Sequence, residues 1–359
     1  MQKLLPIMVL RLALVVSHFC VLISLVDAPL FMMRLHDCKK PSLILNNAAS
    51  YTDISTKMIT MLTHVFSRRY THNHAMLIVL LASALWGVLW IPMRYVESFG
   101  LSGLWVVSIF HLLPALVICP FVIRAYVIER RHWFITGLAS GLMGLGFVLY
   151  GLGLVTASVT KTTVLFYLTP VWATLFAYIV LSERFDFGRW LAIIGGITGC
   201  LLVMRVNPFA FGYESADLLG LISGLAWAAG SVVIRRYPNA NFLHITFIQY
   251  LVGGLLAGGA AFFFGDTTPA LNQVVAALPV AFLASTVMFL PSVLLIFRIM
   301  QYLSPGLVGL LMLSEVLVAA LSSWLILHET FTPWQWSGVV TILCTGVFVG
   351  LSQKSAAAI

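Results

Sequence analysis

Leu168-Thr169-Pro170-Val171-Trp172-Ala173, running on through Leu181-Ser182-Glu183-Arg184-Phe185, is written a second time further along the chain. The second copy is Ser314-Glu315-Val316-Leu317-Val318-Ala319, running through Leu327-His328-Glu329-Thr330-Phe331, at an offset of 146 residues and without a gap. Ala173/Ala319, Leu175/Leu321, Leu181/Leu327, Glu183/Glu329 and Phe185/Phe331 are identical. Each copy is an apolar stretch of membrane-spanning length that stops at a glutamate. A repeat of this size decides the architecture before any local reading does.

Working outward, charged residues make up 9% of the chain and the mean hydropathy is +1.02. Soluble domains carry about 25% charged residues, so a soluble fold is excluded. Repeated apolar runs of about 20 residues predict spanning α-helices, because a backbone in hydrocarbon must satisfy its own hydrogen bonds. The formal net charge of +8 does not point to nucleic acid. The basic residues sit in short loops between apolar runs, as positive-inside topology requires. Cys20, Cys38, Cys119, Cys200 and Cys344 lack metal-ligand spacing and read as unpaired packing residues. Neither a metal cluster, a nucleophile–base pair nor a Walker-type phosphate loop is legible, and no cofactor is implied.

Residues 1–74 differ from the rest. Leu4 to Val26 is apolar but contains Arg11 and His18, and a polar stretch ending in Arg68-Arg69 follows. Three readings stay open: a signal-like segment, an extra helix, or a mis-called start whose true methionine is Met58, Met61 or Met76. From Ala75 the pattern predicts ten spans, at roughly 75–95, 102–124, 134–154, 158–181, 189–206, 216–235, 242–264, 275–299, 305–327 and 333–352. These form two five-helix repeats, 75–206 and 216–352, with a short tail at 353–359. Placing Ala75 at the cytoplasmic face puts Arg68, Arg69, Arg124, Arg130, Arg131, Arg184, Arg189, Arg235, Arg236, Arg298 and Lys354 inside. Only Arg94, Lys161 and Arg205 then fall outside, eleven against three. Both ends of the ten-helix core are therefore expected in the cytoplasm of a cell bounded by a plasma or inner membrane. Trp86 and Trp227, each followed eight residues later by arginine (Arg94 and Arg235), extend the repeat. An odd number of spans per repeat makes the halves enter the membrane in opposite senses. Inverted repeats of this kind place a solute site near the midplane.

Leu85-Trp86-Gly87 with Arg94, Leu168-Thr169-Pro170 ending in Ser182-Glu183-Arg184, and Ser314-Glu315 ending in His328-Glu329 resemble the EamA-type branch of the drug/metabolite transporter superfamily. A Gly-rich helix after each terminal glutamate belongs to the same pattern, which covers about residues 75–352. Three positions depart from it. Val316 stands where the family often has proline, His111 where many members have arginine, and Lys161 where a small or apolar residue is usual. The resemblance implies a transporter, similar to exporters of amino acids and other small metabolites.

Glu315 is the sharpest single signal, since an ionisable group at mid-span costs about 2.5–3.5 kcal/mol on insertion scales. It suits a proton, a substrate amine or a protein cation as partner. His111 is also near mid-span and suits a proton relay or a single structural hydrogen bond. Lys161, near the outer end of the fourth span, either snorkels or meets an anionic solute group. Trp86, Tyr150, Trp172 and Trp227 are amphipathic rings that fit the wall of a cavity or a packed core. Glu183 with Arg184 and His328 with Glu329 end the anchor helices as structural or gating ion pairs. The expected partners are a small-molecule solute, the bilayer and a coupling proton; the sequence carries no signal of oligomeric state. An intramembrane enzyme and a non-transporting scaffold are the competing classes. The first lacks converging catalytic groups, and the second leaves the intramembrane polar residues without a purpose.

Overall fold

In a computed structural model the described residues are 70–128, 133–156, 159–183, 187–204, 217–327 and 331–356. The chain divides into two units, Met1–His74 and Ala75–Ile359. Residues 1–69, which carry most of the N-terminal extension, lie outside the described residues.

The described elements are all helical. They are α1 (His72–Trp86), α2 (Trp90–Glu97), α3 (Gly103–Ile128), α4 (Trp133–Thr156), α5 (Val159–Phe166), α6 (Thr169–Leu181) and α7 (Phe187–Val203). After them come α8 (Asp217–Arg236), α9 (Phe242–Phe263), α10 (Leu271–Phe282), a π-turn (Leu283–Phe289) and α11 (Leu290–Met300). The last three are α12 (Pro305–Met312), α13 (Ser314–Leu327) and α14 (Pro333–Ala356). Taking continuous and broken helices together, seven described stretches are long and apolar enough to cross a membrane; α6 and α7 are shorter apolar helices.

The breaks have local causes. Pro92 cannot donate to the Val88 carbonyl, and Gly87, Val88 and Leu89 instead bond three residues back, which separates α1 from α2. Pro170 begins α6 just after the turn at 167–168, where proline's missing N–H does no harm. Pro291 opens α11, and the ladder before it slips into the π-turn. Gly100 (φ +93°) and Gly265 (φ +78°) turn the chain after α2 and α9 in the left-handed region that glycine tolerates.

Large apolar side chains face outward: Ile123, Ile179, Leu255 and Phe263 are all exposed. Ser83, Ser140, Ser223, Thr246 and Gln249 are buried within. The outward apolar side chains suit hydrocarbon, and the buried hydroxyl and amide groups sit within a mostly apolar interior. The chain is a multi-pass membrane protein.

Glycines set how the helices meet. A Cβ on Gly338 would fall 2.6 Å from the Gly199 carbonyl, and one on Gly195 2.8 Å from Thr345 Oγ1. As residue numbers rise along α7 they fall along α14, so the two run antiparallel in close backbone contact. The pair α6 and α12 is antiparallel too, with Gly309 against Pro170 and Gly306 against Thr174. So is α3 with α9, where Ser108 Oγ donates to the Gly254 carbonyl at 2.9 Å and Gly253 meets His111. Two other pairs run parallel. Along α1–α2 and α13, Ser314 Oγ donates to the Leu80 carbonyl (2.8 Å) and Trp90 Nε1 to Ser322 Oγ (3.0 Å). Along α5–α6 and α8, Gly220 meets Thr162 and Gly224 meets Phe166 and Thr169.

Candidate functional site

The duplicated stretch folds the same way twice. Helix α5 gives way at residues 167–168 to α6, and α12 gives way at residue 313 to α13. The starts of α5 and α12, Val159 and Pro305, are separated by the same offset as the sequence repeat. Each break begins a new helix at mid-span. Glu315 occupies the first turn of α13, where the helix dipole favours a carboxylate. Tyr167, in the opposite break, hydrogen-bonds that carboxylate through its hydroxyl. Tyr150 also lies close enough to feel the Glu315 charge, and its hydroxyl is 3.3 Å from Thr163 Oγ1. Beneath Glu315, Gly87 lets the first span approach so closely that a Cβ there would meet the Glu315 carbonyl at 2.5 Å.

Aromatic rings continue from this point. Tyr150 lies 4.7 Å from Phe166 and Phe166 6.5 Å from Trp227, centroid to centroid. Phe147 then joins Trp227 (5.0 Å), Trp86 (5.2 Å) and His111 (5.5 Å). Trp86 Nε1 donates to Ser292 Oγ at 3.0 Å, which fixes the indole plane. His111 Nδ1 lies 2.8 Å from the Val107 carbonyl. A carbonyl only accepts, so Nδ1 carries a proton and Nε2, buried and without a partner, faces α9. Glu315, Trp86, His111, Phe147 and Tyr150 all keep part of their surface accessible although they lie within their spans. Helix α12 is buried along its whole length, as are Met300 and Leu303. Packing is thus close on the side of Arg235, Arg236 and Arg298, which we refer to as the sealed side.

On that sealed side a second polar group joins the two broken helices. Arg189 Nη1 donates to Glu183 Oε2 (3.0 Å) and to Ser304 Oγ (2.9 Å), and Ser304 Oγ donates to the same carboxylate oxygen at 2.6 Å. The clasp ties the end of α6 and the start of α7 to the residue that precedes α12.

Of the residues singled out in the sequence, the structure brings Trp86, His111, Tyr150, Trp227 and Glu315 into one cluster. Trp172 stands on α6 with its indole N–H buried and unpartnered, and among the described residues it makes no ring contact with the cluster. Lys161 is on α5, but its side chain lies outside the described residues, as do Arg184, His328 and Glu329 altogether. The partner found for Glu183 is Arg189. Tyr167, Phe147, Phe166 and Ser292 complete the site. Pro170 is the local mark of the break at Tyr167, whereas nothing in sequence spacing marked Phe147 or Ser292.

The EamA-like transporter family matches this chain twice, over residues 73–205 and over residues 214–351. The chain belongs to the EamA-like transporter family. It is therefore a membrane transporter of the drug/metabolite type. It is 22% identical to the uncharacterized transporter YoaV of Bacillus subtilis (strain 168), over 76% of this chain and 95% of that protein. An S-adenosylmethionine uptake transporter of Rickettsia bellii (strain RML369-C) is also 22% identical, over 67% of this chain and 81% of its own length. A solved crystal structure superposes with a TM-score of 0.64 at 16% identity, covering 80% of this chain and 99% of the other. That likeness concerns the fold alone.

Proposed function

We propose that this EamA-like chain is a secondary transporter that exports a small organic metabolite, such as an amino acid or a related compound, by alternating access. The observation that carries the reading is the meeting of two broken helices at Glu315 and Tyr167, with a partly accessible aromatic wall around them. Half-helices at mid-membrane form solute and ion sites in secondary transporters. Ten spans in two inverted repeats fit the antiparallel courses of α3 with α9, α6 with α12 and α7 with α14. The sealed side then faces the cytoplasm of a plasma or inner membrane, since it holds the arginines, and the conformation is open outward.

Glu315 is the coupling residue in this reading. Its opposite number in the first repeat is Thr169, so the two halves differ chemically at the one depth where binding occurs. A carboxylate hydrated alternately from each side can take up and release a proton as the centre opens and closes. His111, with its free Nε2, serves as relay. Trp86, Tyr150 and Trp227 line the solute site, with Lys161 and Trp172 contributing from the fourth span. The Glu183–Arg189–Ser304 clasp is the cytoplasmic gate. The Rickettsia relative is named for uptake, so direction is read directly by the assay. Glu315→Gln keeps shape and hydrogen bonding but removes the charge. The variant in liposomes is expected to exchange solute for solute while losing accumulation driven by an imposed pH gradient; wild-type gradient-driven accumulation would refute proton coupling at Glu315.

A further inference from the structure

We infer that the central site selects solutes carrying a cationic centre on an apolar or aromatic body. The inference rests on the solute site proposed above and names the chemistry it recognises. Among the described residues, which do not include the Lys161 side chain, the charge at the centre is one-sided. Glu315 is the charged group that the two breaks bring together, and its protein partner is a neutral phenol, Tyr167. Among the described residues, every basic side chain near the core is engaged elsewhere. Arg94 lies over the Trp90 ring at 5.4 Å, Arg189 is held by Glu183, and Arg235 and Arg298 bond to Gln301 at 2.8 and 2.9 Å. A carboxylate kept only to hold helices together would be matched by a basic side chain, because a buried charge without a countercharge is strongly destabilising.

The equivalent hydroxyl in the first repeat offers nothing to a solute. Thr169 Oγ1 donates back to the Phe166 carbonyl of its own turn. Tyr167 occupies one lone pair of the Glu315 carboxylate, and the remaining acceptor positions suit ammonium-type donors. The walls agree in sign. Trp86, Phe147 and Tyr150 keep part of their rings accessible, and an aromatic ring is negative at the centre of its quadrupole and attracts cations. An anionic solute would be repelled by both the carboxylate and the rings. A neutral one would gain burial from the rings but leave Glu315 without a countercharge.

The test uses purified full-length protein in lipid nanodiscs and calorimetric titration with three probes sharing one phenyl body. These are phenethylamine (cationic), 2-phenylethanol (neutral) and 3-phenylpropionate (anionic). Phenethylamine is expected to bind at least about tenfold more tightly than 2-phenylethanol, as a desolvated charge pair over aromatic rings should. The propionate should bind weakest. Glu315→Gln should bring the amine down to the affinity of the alcohol, with a melting temperature like the parent's showing that the variant is folded. Equal or tighter binding of the propionate overturns the inference, as does an amine preference that survives Glu315→Gln. Binding that is unaltered by Trp86→Ala, or the absence of binding by all three probes, overturns the central solute site itself.

Discussion

Glu315 holds its place through three local circumstances: a helix start at its own backbone, the Tyr167 hydroxyl across the interface, and Gly87 below it. Removing any one should be felt at the carboxylate. Tyr167→Phe keeps the ring and deletes only the donor. A hydrogen bond to a charged group contributes about 1.5–3 kcal/mol, so transport efficiency should fall by about tenfold or more, with the melting temperature little changed. Equal flux in the Phe variant and the parent would mean that the tyrosine is a packing residue. Glu315, Trp86, His111, Tyr150 and Trp227 were legible from the sequence because polar or amphipathic groups deep in an apolar span stand out. Trp172 shared that property and yet lies apart from the ring cluster. Depth along a span is written in the sequence, but the direction in which a side chain faces is not. Phe147 illustrates the converse. An aromatic residue in an apolar helix carries no mark until the fold sets it between Trp86, His111 and Trp227.

At the scale of elements, the broken helices and the clasp belong together. The sequence repeat located both anchor helices but read each, 158–181 and 305–327, as one uninterrupted span. Pro170 is the local mark of the break in the first; at residue 313, where Val316 replaces the proline common in the family, no such mark exists, and Gly87 packs against the Glu315 carbonyl just beyond the break. Among the described residues, the clasp holds α6 to α12 at one end and no equivalent ion pair stands at the other. The residue that corresponds to Arg189 in the second repeat is Gln335, whose side-chain oxygen accepts from the Thr332 backbone N–H at 3.0 Å. A charged lock at a single end should bias the transporter towards the conformation sealed there. Arg189→Gln is expected to raise the maleimide reactivity of a cysteine placed at Leu303, which is 2% exposed, severalfold. Exchanging the charges (Glu183→Arg with Arg189→Glu) should restore protection. Reactivity that ignores both changes would leave the ion pair a surface ornament of little energetic consequence.

At the scale of the whole molecule, the proposed orientation rests on the same arginines. Arg236 and Arg94 are both exposed, each in the last turn of its helix, and in the proposed inverted repeats those two helices cross the membrane in opposite senses. Cysteines substituted there should label from opposite sides of the membrane, Arg236 from the cytoplasm, and labelling of both from one side would end the inverted-repeat reading. The family match over two successive stretches agrees with a duplicated unit. The most direct measurement is efflux from proteoliposomes loaded with a mixture of the standard amino acids and their decarboxylated amines. An inward proton gradient is imposed and the external medium is analysed by mass spectrometry. One or a few solutes should leave saturably from vesicles containing the parent protein. Vesicles containing Glu315→Gln should release them only in exchange for external solute. If no compound leaves the parent vesicles faster than protein-free ones, while the same preparation binds none of them, the account of a metabolite transporter built around Glu315 is contradicted.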